Sequence, residues 1–355
     1  FILGRHLIYL IIMKLLYFTN MNVNKNINIL SLKIWLITMI TLVSLIVFVG
    51  GLTRLTESGL SITVWEVFKG VFPPLNLQEW NNYFNDYKKI PEYKLLNTEM
   101  SLDEFKVIFY WEYSHRMLAR LLGFLSIIPL IYFSITYKGF LNNYKRYFIL
   151  FLLIVFQGFI GWYMVKSGLD KNLDVSHYRL AIHLSVALII LSLSLWFFFD
   201  INNIEKLNIK LPFKLSTAIL VLIALQIILG ALLAGLNGGL IYNTWPDMNG
   251  YFLPNDTALN DYFKLTVLNN PSIIQLLHRI IAYLLFFLII FLNIYYIKLN
   301  LDLKSLLLFD IAILIQIFLG IITLLSGMEI KYASLHQIGS ILVLSSYLYI
   351  FYKNT

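Results

Sequence analysis

The sequence predicts an all-α polytopic membrane protein, with eight transmembrane helices in two tandem four-helix bundles related by a pseudo-two-fold axis along the membrane normal. Of its 355 residues 59% are apolar and only 13% charged, about half the charge density of soluble domains. The apolar residues come in runs of about 20, the length that crosses a hydrocarbon core. Those runs also repeat one another. The composition excludes an ordinary soluble globule. Cysteine is absent, which excludes disulfides, thiolate metal sites, cysteine nucleophiles and thioether-anchored cofactors.

The N-terminal extension 1–30 is apolar to residue 18 but interrupted by Arg5, His6 and Lys14, and its Asn-rich stretch 20–28 reads as disordered. It is taken as sequence upstream of a start at Met13 or Met21. Span 1 follows at 34–53 without a charge. The connection 55–111 is too long for a passive link and reads as a cap on the outer side. At its end Ser101 and Glu104 of SLDE have capping-box form, so a helix starts there and runs through Glu112 and His115 into span 2 at 116–136. Trp65, Trp80 and Trp111 suit an interfacial belt. Spans 3 and 4 lie at 147–165 and 180–199, closing an N-terminal half over 31–200. A linker, 201–214, leads to the C-terminal half, 215–355, whose spans lie at 215–236, 277–297, 304–325 and 333–352.

The formal charge of +8 is one-sided. Both termini and the short connections after spans 2, 4 and 6 carry thirteen basic residues, among them Lys138, Arg146, Lys206, Lys210 and Lys298, against three acidic ones. The other side is nearly neutral. This is the positive-inside pattern, with N and C termini cytoplasmic and no nucleic-acid patch.

The repeat appears when the odd spans are stacked. QGFIGWYMVKSG of span 3 matches QIFLGIITLLSG of span 7, aligning Gln157 and Gly161 with Gln316 and Gly320. QIILG of span 5 puts Gln226 and Gly230 in the same places, and VGGLTRL of span 1 is a looser relative. Glycines at one helical position suit close helix packing. Two halves of four spans have the same orientation in the membrane.

Four histidines, His115, His183, His278 and His336, begin the even-numbered spans on the outer side. One such residue would be unremarkable at an interface, but four in register invite a shared ligand in each half. A four-helix bundle with one axial histidine from each of two helices holds a heme iron, pairing His115 with His183 and His278 with His336. Zinc would want a third ligand that neither half offers. Arg116 and Arg279 directly follow a histidine and Arg179 precedes His183 by one turn, so all three are candidate partners of heme propionates. The halves differ at one position: Glu112 lies three residues before His115 where Gln275 lies three before His278. A carboxylate can exchange a proton and an amide cannot, so acid–base chemistry is available in the first half alone. The bland reading of Glu112 is an i,i+4 ion pair with Arg116.

Over 31–352 the chain resembles the heme A synthase family, in the branch shared by mitochondria and alphaproteobacteria. The resemblance rests on GGLTRLTESGLSITVW at 50–65, PPLNLQEW at 73–80, PEYKLLNTEMSLDEFKVIFYWEYSHR at 91–116, RLAIHL at 179–184, AGLNGGLIYNTWPDMNGYFLP at 234–254, QLLHR at 275–279 and LHQ at 335–337. It implies an oxidoreductase that converts the C8 methyl of heme O to a formyl group by successive hydroxylation, giving heme A for cytochrome c oxidase. It further implies His115 and His183 as ligands of the substrate heme, His278 and His336 as ligands of a heme B cofactor, and Glu112 as the catalytic acid. The oxygen source, dioxygen or water, stays open. Other members carry a cysteine pair in an outer loop that this chain lacks. The implied setting is the bacterial inner membrane, with the histidines near its outer face. Implied partners are membrane lipid, the farnesyltransferase that forms heme O and an electron donor, and a homo-oligomer is compatible. Two rivals account for less. A di-heme cytochrome that only passes electrons explains the histidines but not Glu112 or the cap, and a transporter would place its site at mid-membrane.

Overall fold

The computed structural model describes residues 25–66, 69–136, 144–169, 174–301 and 303–355. Ten α-helices are described: α1 (Lys25–Leu55), α2 (Leu77–Tyr87), α3 (Pro91–Leu96), α4 (Leu102–Thr136), α5 (Tyr144–Leu169), α6 (His177–Ile201), α7 (Phe213–Gly235), α8 (Pro271–Lys298), α9 (Leu303–Leu325) and α10 (Ile330–Asn354). All but α2 and α3 are long and apolar enough to cross a membrane, giving eight among the described residues. Seven of the eight expected spans lie inside one of them, and span 5, expected at 215–236, runs one residue past the end of α7.

Every one of these helices starts before its apolar run and five of the eight also end after it, because once a span is helical each added residue gains a backbone bond at little nucleation cost. Thus α1 begins at Lys25, within the Asn-rich stretch read as disordered. The expected starts at Met13 and Met21, and the charged residues Arg5, Lys14, Lys138 and Asp302, lie outside the described residues.

Packing repeats between the halves. α1 packs on α4 and α6, α5 on α6, and α4 on α5; correspondingly α7 packs on α8 and α10, α9 on α10, and α8 on α9. Two equivalent seams join the halves, α6 against α7 and α10 against α1, and α6 also meets α10 between them. One apolar core runs through both, from Leu36 and Met39 of α1 through Leu191 of α6 to Ile223 of α7 and Tyr347 of α10. The linker is fastened to the end of α10: Leu207 N–H donates to the Lys353 carbonyl at 2.7 Å, and Leu211 N–H to Asn354 Oδ1 at 2.6 Å.

The long connection folds as a lid with its own core. Asn76 caps α2 by accepting from Glu79 N–H at 2.9 Å, and Pro91 opens α3. Trp80, Phe84, Tyr87 and Ile90 pack on Phe105 and Phe109 of α4 and on Leu60 and Ile62. The capping box is formed as expected: Ser101 N–H donates to Glu104 Oε2 at 2.8 Å, and Glu104 N–H to Ser101 Oγ at 3.3 Å. Of the tryptophans assigned to an interfacial belt, Trp80 departs. It is buried edge-on against Phe109, with centroids 4.9 Å apart, because α2 supplies an apolar face that the sequence reading left unassigned.

Candidate functional site

The four histidines meet in the expected pairs. His115 of α4 faces His183 of α6 with ring centroids 6.4 Å apart, and His278 of α8 faces His336 of α10 at 6.5 Å. A metal–imidazole bond is about 2 Å long and the bonding nitrogen lies about 1.2 Å from the ring centre, so two rings flanking one ion stand about 6.4 Å apart. Both separations match that figure. Groups of three or more histidine and acidic residues are absent among the described residues, so each site would hold a metal by two imidazoles and suits one that brings donors of its own.

Glycine seats every ring. A Cβ on Gly50 would lie 2.9 Å from His115 Nε2, on Gly161 3.1 Å from His183 Cε1, on Gly230 3.2 Å from His278 Cε1, and on Gly320 2.8 Å from His336 Cε1. The repeated glycines therefore make room for imidazoles, where the sequence suggested close approach of backbones. The glutamine one turn earlier holds three of the histidines, two by the ring and one by the backbone. Gln157 Nε2 lies 3.2 Å from His183 Nδ1 and 3.3 Å from its Nε2 and donates to its carbonyl at 2.9 Å, Gln226 Nε2 lies 3.2 Å from His278 Nε2, and Gln316 Nε2 donates to the His336 carbonyl at 2.8 Å. His336 Nδ1–H donates to the Gln316 carbonyl at 3.1 Å, which leaves the lone pair on Nε2 free for a metal. Sequence reasoning saw these glutamines as marks of the repeat and missed this function. His278 Nδ1 and the Oε1 atoms of Gln157, Gln226 and Gln316 are buried without a partner, polar capacity that fits a ligand with polar or ionic character. The residues present thus fit a tetrapyrrole iron at each pair.

Glu112 is 3% exposed and accepts four hydrogen bonds. Oε2 takes Ser61 Oγ–H and Ile62 N–H, both at 2.8 Å, and Oε1 takes Arg116 Nε at 3.0 Å and Nη2 at 2.6 Å. Gln275 holds its own loop with the opposite polarity, donating to the carbonyls of Gly238 at 3.2 Å and Tyr242 at 3.1 Å. The position three before the histidine therefore ties the loop after the preceding odd span, by a carboxyl acceptor in one half and an amide donor in the other.

The arginines are turned to protein. Arg116 also donates to the carbonyls of Ile62 at 2.7 Å and Val64 at 3.2 Å, and Arg279 to those of Asp247 at 2.6 Å and Tyr242 at 3.3 Å. Arg179 donates to the Tyr163 carbonyl at 2.7 Å and lies 3.7 Å from the centre of that ring. Backbone carbonyls, in loops for Arg116 and Arg279 and within α5 for Arg179, thus accept from all three candidate propionate partners. His177, outside the pairs, lies 3.1 Å from Asn269 Oδ1.

Fold and site together define an eight-span membrane protein with two bis-histidine centres, one of them beside a buried carboxylate. A family model described as cytochrome oxidase assembly protein matches residues 33–348. The chain belongs to this family, the heme A synthases. The heme A synthase of Pelagibacter ubique (strain HTCC1062) is 60% identical over 335 residues, 94% of this chain and 100% of its own. Those of Wolbachia pipientis wMel and Rhizobium rhizogenes (strain K84 / ATCC BAA-868) are 42% and 41% identical, covering 89% and 88% of this chain and 90% and 87% of their own.

Proposed function

We propose that this chain makes heme A by oxidising the C8 methyl of heme O to a formyl group, with heme O held between His115 and His183 and a heme B between His278 and His336. The observation that carries the reading is the matched pair of histidine centres, at 6.4 and 6.5 Å, of which only the first has a carboxylate on the histidine's helix face. Heme B, when bound, supplies a one-electron redox centre. Glu112 is the proton-exchanging group. Arg116 holds one of its oxygens, and the Ser61 hydroxyl presents an exchangeable proton to the other. The lid over α4 keeps this carboxylate out of bulk water, where exchange at the reacting edge can be directed. Heme O arrives from the farnesyltransferase that forms it, and an electron donor completes the cycle. The reaction runs near the outer face of the bacterial inner membrane.

The test is acid–acetone extraction and chromatography of hemes from the purified protein, expressed with and without a heme O supply. Heme B together with heme O or A is expected, and heme B alone under both conditions would favour a cytochrome that only passes electrons. In the same assay Glu112→Gln is expected to keep both hemes and to lower formyl formation by about 10²-fold or more. Normal heme A yield from that variant would remove Glu112 from the chemistry.

A further inference from the structure

Two consecutive glycines at the outer end of α1 face the two centres in turn. Gly50 seats the ring of His115. Gly51 faces α10, where a Cβ would overlap the side-chain amide of Gln337. Gln337 is the residue after His336, and its Nε2 donates across the seam to the Val47 carbonyl of α1 at 2.8 Å. In a helix that carbonyl also accepts the N–H four residues on, which is Gly51. A chain of covalent and hydrogen bonds therefore leads from His336 through Gln337, the Val47 carbonyl and Gly51 to Gly50, and ends against His115 Nε2.

The repeat supplies an internal comparison. At the other seam, α6 on α7, the residue after the histidine is Leu184 and the residue after the glycine is Ala231. Both belong to an apolar cluster there. Packing two halves together at this register is thus satisfied by leucine against alanine, with no polar atom to desolvate. The α10–α1 seam instead carries an amide and a glycine shaped to receive it, in a place where an unpaired amide would be costly. Something beyond packing is served at that seam.

We infer that Gln337 is the electronic link between the two centres. The inference rests on the heme O to heme A reading with a second, electron-carrying heme. With both groups bound, His278 and His336 would hold the one-electron donor and His115 and His183 the one-electron acceptor, the first being oxidised as the second is reduced. No bond is broken and no proton moves. Gln337 replaces a van der Waals gap between helices by a hydrogen bond, through which electronic coupling decays more slowly. Gly51 keeps α1 close enough for that bond to form.

The test is Gln337→Leu, which copies the other seam, with Leu184→Ala as control. Heme content and the electron paramagnetic resonance signals of both low-spin centres report ligation, and equilibration of an electron between the hemes is followed optically after a flash from a flavin photoreductant. Gln337→Leu is expected to keep both hemes and both signals while equilibration slows several-fold, and Leu184→Ala to equilibrate at the wild-type rate. Unchanged equilibration in Gln337→Leu with both hemes present would overturn the link. Should Gln337→Leu lose heme, Gln337→Met, similar in length but unable to donate, gives the same reading, and heme loss from both would make Gln337 a packing residue and overturn the assignment equally. Wild-type protein that extracts with only one filled centre would instead overturn the underlying functional reading.

Discussion

Glu92 is 5% exposed inside the lid, where Tyr87 Oη–H donates to it at 2.7 Å. Burial pushes its carboxyl up to about 7, opposed by the Tyr87 bond and reinforced by the acids Asp174, Glu57 and Glu112. The same burial, with the carboxylate beside it, raises the Tyr87 hydroxyl. The folded lid therefore holds the Glu92 proton more tightly than the unfolded chain does. Stability is full below the ordinary carboxylate range, falls as pH rises to about 7 and is level above. Limited proteolysis of the outer loop should accelerate over that window, and Glu92→Gln, which keeps a partner for Tyr87, should flatten the profile. A wild-type cleavage rate independent of pH there would contradict this. None of it is legible in PEYKLL, because the burial of Glu92 is made by residues far along the chain. The histidines and Glu112 were legible because helical spacing alone puts them on one face, whereas the acceptors of Arg116 and Arg279 are loop carbonyls that no spacing reveals.

At the scale of the element, a glycine, a glutamine one turn before it and a histidine on a neighbouring helix form a unit that recurs through α5, α7 and α9. On α1 the unit is incomplete, with Ile46 where the others have glutamine. His115 thus lacks the amide that bonds the ring of His183 and His278 and the backbone carbonyl of His336. Gly320→Ala would set a methyl 2.8 Å from His336 Cε1, an overpacking of about 1–3 kcal/mol unless the imidazole moves. Loss of heme from the second centre is expected. Gly158→Ala on α5 meets nothing within 4 Å and should retain both hemes, so equal heme content in the two variants would refute the seating role. The eight spans were legible from run length and the capping box from its four letters. α2 was not, because its apolar face, Trp80, Phe84 and Tyr87, is short and set among polar residues.

At the scale of the molecule, the order in which helices pack in the first half is reproduced in the second, and the two seams correspond. That correspondence was legible in the stacked odd spans. The difference between the seams was not, since Gln337 has its meaning only once Val47 lies opposite it. With thirteen basic residues on one side, both termini should be cytoplasmic. An epitope after Thr355 should be reached by antibody in inside-out vesicles and not in right-side-out ones, and the reverse labelling would refute the orientation. The lid belongs to the opposite side, and its connection to the site is mechanical as well as chemical. α4 runs unbroken for 35 residues from the lid, where Phe105 and Phe109 are clamped, past Glu112 and His115 to Thr136, a rod of about 50 Å. Lid and imidazole thus ride on one beam. A tilt of the lid end of that beam is therefore also a displacement of the ring at its middle.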